Sequence, residues 1–426
     1  MGLQLDLKDL HREIFKDPVL SRLSALAKRE KAPFYLVGGY LRDLWLGVER
    51  RDFDFTLSRE ASAFVSVIEE AFQFHFFRVG KDAETSTFRI MKDDLSMDIT
   101  LFHGRTIMED LQWRDFTVNT LAFSLEDETW RWAEAALEDI QQRMIRAVSE
   151  RSLDQDPLRM LRAIRYACTL EGFSMDARLT EEISSKRDLI LTVPGERVKM
   201  ELDRILLSAR PGTGMKSLHE TGLLLSLFPE LKGLENLGQD DHHHLDALSH
   251  TLLAVEKISW AIRWSAEKGK ALSLPKEDLL CLCYSILFHD IGKQDAYSRG
   301  EKKRVHFYHH ELFSCRASEG IMKRLRFSNP LQEKVLRLIR NHMRILNLSR
   351  ETKEPALKML VHHMGEEIAL LVIHSLADKQ ASRGILSCQD DDVVEGHCLH
   401  LLELSKEEGI VHPPPLIRGD DVMALG

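Results

Sequence analysis

The chain has 426 residues, 44% hydrophobic and 29% charged, which excludes a disordered or low-complexity protein and gives length for about two to four domains. No run of about 18 apolar residues offers a membrane span, the start MGLQLDLKDLHREIF lacks the apolar stretch of a leader, and six cysteines (168, 281, 283, 315, 388, 398) without a CxxC pair point to a reduced, cytoplasmic protein. The formal net charge of −9 argues against a polyanionic partner, yet residues 386–426 hold nine Asp/Glu and two Lys/Arg, so −7 of it lies at one end.

Residues 1–147 read as mixed α/β. A helical stretch, 9–30, leads into the apolar run PFYLV (33–37), the pair Gly38-Gly39, a helical LRDLWLG and the alternating segment DFDFTL (52–57). Period-two geometry puts the carboxylates of Asp52 and Asp54 on one face, where a pair of Mg2+ ions can bind and serve a displacement at phosphorus. A Gly39 turn between strand and helix lets backbone N–H groups approach phosphates, and Arg42 in that helix is placed to hold a phosphate oxygen. Strand-like runs follow at 74–80, 87–91 and 97–102, the last with Asp98 as a candidate third carboxylate. In WRDFTVN (113–119), Arg114 and Asp115 are expected to pair, leaving guanidinium donors for ribose or phosphate, and Thr117 to cap a helix.

From about 151 onward apolar residues recur at three- and four-residue spacing, the pattern of helices. In QDPLRMLRAIR, Asp156 and Arg159 stand three apart on a helix predicted to begin at Pro157, and Arg162 and Arg165 continue the spacing. A carboxylate and a guanidinium can read the amino group and adjacent ring nitrogen shared by cytosine and adenine, and mismatch guanine and uracil. The helical segment 148–235 is expected to form a neck, and 236–405 a second helical domain with a tail, 406–426. This second domain carries His250, His289-Asp290 within CLCYSILFHDIGK, His310, His342 and Asp378, a set of N/O ligands suited to Mg2+, Mn2+, Ni2+ or Fe2+. His242–His244 reads as an exposed loop, and the basic segment 299–326 as a candidate RNA contact.

GGYLRDLWLGVERRDFDFTL resembles the class II tRNA nucleotidyltransferase and bacterial poly(A) polymerase family. The resemblance implies an α+β, polymerase-β-like head followed by an all-α neck. It also implies that Asp52 and Asp54 bind the catalytic metals while Gly39 and Arg42 hold the triphosphate. WRDFTVN resembles the family's RRDFT-N-A motif with Trp113 in place of its first arginine, and assigns Arg114 and Asp115 to nucleotide binding. QDPLR resembles the EDxxR motif, the amino-acid template for incoming CTP and ATP, with Gln155 in place of glutamate; Asp156 and Arg159 are then base readers, and Arg162 and Arg165 phosphate or ribose contacts. Residues 80–88 occupy the place of the family's flexible loop. The ordered set H…HD…H…H…D resembles the HD phosphohydrolase superfamily and implies a divalent ion on His250, His289, Asp290 and Asp378, with His310 and His342 close to it. The expected activity is template-independent addition of CMP and/or AMP to the 3′ end of tRNA. The alternatives are a poly(A) polymerase acting on other RNA 3′ ends, a partial CC- or A-adding enzyme, or a metal-dependent phosphohydrolase with an RNA-binding head. The ending PPPLIRGDDVMALG resembles a segment that continues further in such relatives.

Overall fold

The computed structural model describes residues 6–48, 52–79, 87–92, 95–238, 245–299, 305–382, 391–407 and 409–411. The segments 80–86, 242–244, 300–304 and 412–426, which carry most of the flexible-loop expectation, the three histidines, part of the basic segment and most of the tail, lie outside these residues. The chain divides into two compact units, residues 1–186 and 187–426. The helical segment 148–235 spans that division.

The first unit is built on a seven-stranded mixed sheet. Its strands are β1 (Phe34–Val37), β2 (Asp52–Leu57), β3 (Phe77–Val79), β4 (Thr87–Lys92), β5 (Leu95–Leu101), β6 (Ala122–Ser124) and β7 (Trp130–Arg131), in the order β3-β4-β5-β2-β1-β6-β7. Only β2 and β5 run parallel. Alternation decides the two faces. Phe34 and Leu36 of β1, Phe53 and Phe55 of β2 and Met97 and Ile99 of β5 are buried. Phe34 stacks on Phe55 at 4.7 Å and meets the edge of Phe64. The opposite face carries Val37 beside Asp54 and Asp54 beside Asp98.

Around the sheet lie α1 (Leu7–Lys16), α2 (Pro18–Glu30), α3 (Gly39–Trp45), α4 (Phe64–Phe72), α5 (Ile107–Gln112) and α6 (Ala136–Gln142). The helix expected over 9–30 is two helices. Asp17 ends the first and caps the second through bonds to the N–H groups of Val19 and Leu20, and Pro18 cannot donate to continue a single helix. Helix α5 packs Ile107 and Leu111 on Val37, Phe102 and Ala122, which closes part of the carboxylate-bearing face. The unit ends with α7 (Ser152–Gln155), α8 (Arg159–Thr169), α9 (Ala177–Lys186) and a short parallel pair, β8 (Met144–Ile145) and β9 (Ser174–Met175).

The second unit is helical: α10 (Gly195–Leu206), α11 (Pro211–Glu220), α12 (Leu223–Leu227), α13 (Ala247–Glu267), α14 (Lys276–Phe288), α15 (His310–Arg324), α16 (Asn329–Asn341), α17 (Met343–Leu346), α18 (Glu354–Met364), α19 (Ile368–Ala381) and α20 (Asp391–Leu404). A two-stranded ribbon, Tyr297–Arg299 with Val305–Phe307, precedes α15. Helices α14 and α19 are apolar nearly all round, as buried helices are, with Cys281–Phe288 and Leu370–Asp378 enclosed. No helix among the described residues is long and apolar enough to cross a membrane.

Candidate active site and candidate metal centre

The first site forms where β1 turns into α3. Gly38 adopts φ 74 and ψ −134, a conformation open to glycine alone, and ends β1 within reach of β2. A Cβ at Gly38 would lie 2.9 Å from Arg114 Nη1 and 3.7 Å from Asp54 Oδ2. The backbone therefore passes between the second aspartate and the arginine of the WRDF segment. Asp52 and Asp54 share an accessible face, as their spacing predicts, while Phe53 and Phe55 go to the core. The protein packed around Asp54 pushes its pKa up; Arg114 opposes this, and Asp98 and Asp52 add to it. A crowd of carboxylates held against their own repulsion is a donor set that fits divalent cations. Asp98 sits in register beside Asp54, but Arg89 of β4 claims it through Nε at 2.6 Å and a second, bidentate bond.

The expected Arg114–Asp115 pair does not form. Asp115 is buried and faces away from its neighbour toward α8, where its Oδ2 accepts from Arg162 Nε at 2.9 Å and Nη2 at 2.6 Å. It also accepts from Asn119 Nδ2 and the Phe116 N–H. Burial would raise its pKa, but Arg162 and these hydrogen bonds outweigh burial and bring it down to about 2. Arg114 instead reaches Asp110 at 3.6 Å. Thr117 is not a cap; its hydroxyl donates to Asp139 at 2.5 Å. Arg42 is buried, donates to Asp43 through Nε and Nη2 at 2.9 and 2.7 Å, and reaches Asn119 through Nη1. Asn119 thus ties Arg42 to Asp115, and a continuous chain runs from the buried Asp43, Arg42, Asn119 and Asp115 to the half-buried Arg162.

The helix expected to begin at Pro157 starts two residues later, at Arg159. Asp156 is extended in the break between α7 and α8, its Oδ1 accepting from the Leu158 N–H, and Arg159 opens α8. Arg159 Nη1 donates to the carbonyls of Arg114 and Ser152 and to Gln155 Oε1 at 3.3 Å, and Nη2 donates to the Trp113 carbonyl at 2.5 Å. Burial lowers its pKa. Arg114, Asp115, Asp156, Arg159 and Arg162 line one cavity of about 270 Å³. Tyr166, one turn along α8, gives its ring to three guanidinium groups, those of Arg42 (5.0 Å), Arg162 (5.9 Å) and Arg165 (4.1 Å).

The second site lies wholly in the second unit. His250 comes from α13, and His289 and Asp290 from the exit of α14, which ends at Phe288; the dipeptide is therefore beyond the helix rather than inside it. The exit turn is tight because Gly292 lies against α15, where a Cβ would be 2.4 Å from Ser314 N and 2.6 Å from His310 O. His310 and His342 come from the start of α15 and the end of α16, and Asp378 from α19. All six residues are buried. Five of them form two groups that share Asp290, namely His250, His289, Asp290 and Asp290, His310, His342, with ligand atoms within 4.8 Å inside each. Asp378 Oδ1 lies 2.8 Å from His250 Nε2 and 3.7 Å from His289 Nε2.

Backbone carbonyls fix the ring orientations. Nδ1 of His289, His310 and His342 donates to the carbonyls of Ile286, Phe307 and Ile339 at 2.7, 2.9 and 2.7 Å. A carbonyl only accepts, so each Nε2 is the nitrogen turned inward. Nε2 of His310 and of His342 then face each other at 3.0 Å, two lone pairs that a cation between them would reconcile. Burial would lower the pKa of His289, but Asp290 and Asp378 outweigh it and push it up to about 10. Both carboxylates are held well below the ordinary range, against burial, mainly by His289. Ionised carboxylates and inward imidazole nitrogens suit a borderline-hard divalent ion.

Two further residues belong to this cluster. Lys293 Nζ, three residues further on, is 2.7 Å from Asp290 Oδ2. His374 stands four residues before Asp378 on α19, with its ring 5.4 Å from His289 and 5.8 Å from His342. Burial pushes its pKa down to about 3. The HxxxD spacing at 374–378 was the available signal. Tyr166 and Asn119 had none beyond proximity to the motifs.

Family models match the chain in three places: the poly A polymerase head domain over residues 34–146, the "Probable RNA and SrmB- binding site of polymerase A" over 172–234, and the HD domain over 248–379. The chain is 32% identical to a CC-adding tRNA nucleotidyltransferase of Thermus thermophilus, over 92% of this chain and 86% of that protein. It is 28% identical to an A-adding tRNA nucleotidyltransferase of Deinococcus radiodurans over the same shares. Its fold is similar to that of a CCA-adding enzyme solved with CTP (TM-score 0.65, 20% identity, covering 100% of this chain and 93% of that one). It is also similar to that of the Thermotoga maritima CCA-adding enzyme complexed with tRNA (TM-score 0.64, 20% identity, 100% and 91%). With a relative this similar along nearly its whole length, and with head and HD models matched in order, the chain belongs to the tRNA nucleotidyltransferase family.

Proposed function

We propose that this chain transfers CMP and/or AMP from CTP or ATP to the 3′ end of tRNA, acting in the cytoplasm. The observation that carries the reading is the junction at Gly38, where the Asp52/Asp54 face meets Arg114 and the cavity that holds Asp156 and Arg159. Asp52 and Asp54 are the residues that would hold Mg2+. Bound there, the metal would ease loss of the proton from the RNA 3′-hydroxyl and offset charge on the leaving pyrophosphate. The 3′-oxygen forms its bond to the α-phosphorus as the bond to the β-phosphate oxygen breaks, and most of the protein's contribution is alignment.

Gly39 and Arg114 serve the triphosphate. Arg114 is suited to this because its Nε is buried and makes no hydrogen bond among the described residues. Asp156 accepts from the exocyclic amino group of cytosine or adenine, and Arg159 donates to the ring nitrogen beside it. Arg165 is the phosphate or ribose contact. Arg42 and Arg162, committed to Asp43 and Asp115, act mainly by holding α3 and α8 in register around the cavity. Gln155 offers Arg159 a neutral acceptor where a carboxylate would bind it more strongly.

The test supplies tRNA ending before, within and after CC, with each NTP alone. The expected ladder adds C, A or both and then stops. Unlimited A addition would move the assignment to a poly(A) polymerase. Asp52→Ala is expected to remove incorporation altogether; incorporation at the unaltered rate would overturn the site.

A second activity is favoured by the buried histidine–aspartate cluster: hydrolysis of a phosphoester. His250, His289, Asp290 and Asp378 would hold a divalent ion, which would supply an activated water, with His310, His342 and Lys293 lining the same space. Asp290→Asn is expected to remove phosphohydrolase activity while Asp52→Ala spares it.

A further inference from the structure

Trp113 is the departure from the family's RRDF pattern, and its surroundings suggest what the exchange does. It follows α5 directly and is 47% exposed, among the few large exposed aromatic residues of the first unit. It lines the cavity that Asp156 and Arg159 also line.

The ring is held in place. His103 lies nearly parallel to it, with ring centroids 5.8 Å apart and 22° between planes. His103 is fixed in turn by Asp110, which is buried, accepts the His103 backbone N–H at 3.0 Å and lies 3.2 Å from its Nδ1. Asp110 is the same carboxylate that faces Arg114. The Trp113 carbonyl accepts from Arg159. A flat aromatic surface is thereby tied, through backbone and side chain, to the residues that read a base edge.

We infer that Trp113, backed by His103, is the shelf on which the base of the incoming nucleoside triphosphate stacks. This rests on the nucleotide-adding reading of the head and names how that site grips its substrate. Asp156 and Arg159 address the edge of the base; Trp113 addresses its face. Stacking accepts any base, since every base has a π-face, and it grows with ring area. The shelf therefore favours adenine over cytosine, on top of an edge code that admits both. An arginine at this position would supply charge; the tryptophan supplies area.

The experiment measures binding of α,β-methylene analogues of ATP and CTP to the full chain with Mg2+, by isothermal titration. The unaltered protein, Trp113→Leu and Trp113→Phe are compared, with thermal unfolding to confirm that each is folded. Trp113→Leu is expected to weaken the ATP analogue on the order of 5- to 100-fold and the CTP analogue by less. Trp113→Phe is expected to retain binding within about threefold. Nucleotide-induced quenching of tryptophan emission is expected to disappear in Trp113→Phe although binding persists. Unchanged affinity for both analogues in Trp113→Leu overturns the shelf and leaves the nucleotide-adding reading standing. A loss confined to affinity for tRNA, titrated in parallel, also overturns it and gives the indole to the RNA. If the unaltered chain binds neither analogue, the nucleotide-adding reading fails, and the shelf with it.

Discussion

At the scale of single residues, the first site depends on positions where chemistry and backbone leave no slack. Gly38 combines a left-handed φ with the close approach of Arg114 and Asp54. Gly38→Ala is expected to cost about 1–3 kcal/mol of stability and to cut nucleotide addition by more than about tenfold, measured by chemical denaturation and single-turnover incorporation. Asp115 gives a second prediction. Its pKa falls from 3.8 to about 2 on folding, so it contributes about 2 kcal/mol at neutral pH. A depressed carboxylate stabilises above its unfolded pKa and loses that contribution as pH falls toward the folded value. The stability gap between the unaltered chain and Asp115→Asn should therefore be full at pH 7 and shrink below about pH 4. A gap that widens in acid would contradict the Arg162 pairing. Sequence spacing made the shared face of Asp52 and Asp54 legible, because strand period is a local rule. It could not show that Asp115 turns to Arg162, because that choice is made by packing 47 residues away.

At the scale of elements, two helix boundaries decide the sites. Pro157 breaks the chain so that Asp156 is extended and Arg159 begins α8. The residues were legible, whereas the break was displaced by two positions, a shift that local propensity does not resolve. At the other site, the apolar run CLCYSILF read correctly as helix, but its end at Phe288 is imposed by Gly292 packing on α15. Gly292→Ala would push a methyl into backbone atoms of α15 that cannot give way. The expected result is loss of bound divalent ion, measured by elemental analysis after dialysis against Mn2+, and lower thermal stability. Retention of the unaltered metal content would show that the turn does not set the cluster. His374 escaped notice because a histidine in an apolar helix looks like core until neighbouring helices bring other imidazoles beside it.

At the scale of the whole molecule, two compact units each carry a site of their own. Ligands that bind only the folded form raise its stability by mass action. At a constant, saturating Mg2+ concentration, adding CTP is expected to raise one unfolding transition and Asp290→Asn to lower another, in differential scanning calorimetry. A single transition moved by both would refute separate sites. The formal charge of −9 was a poor guide to function because −7 of it belongs to residues 386–426. What matters to a phosphate is the local arrangement, and there one residue outside every motif has an outsized part. Tyr166 shares its ring among Arg42, Arg162 and Arg165, two of which already answer to Asp43 and Asp115. The placement of the three guanidinium groups is thus a collective property of one ring: an exchange at position 166 would release three arginines together, and selection on any one of them is selection on the tyrosine.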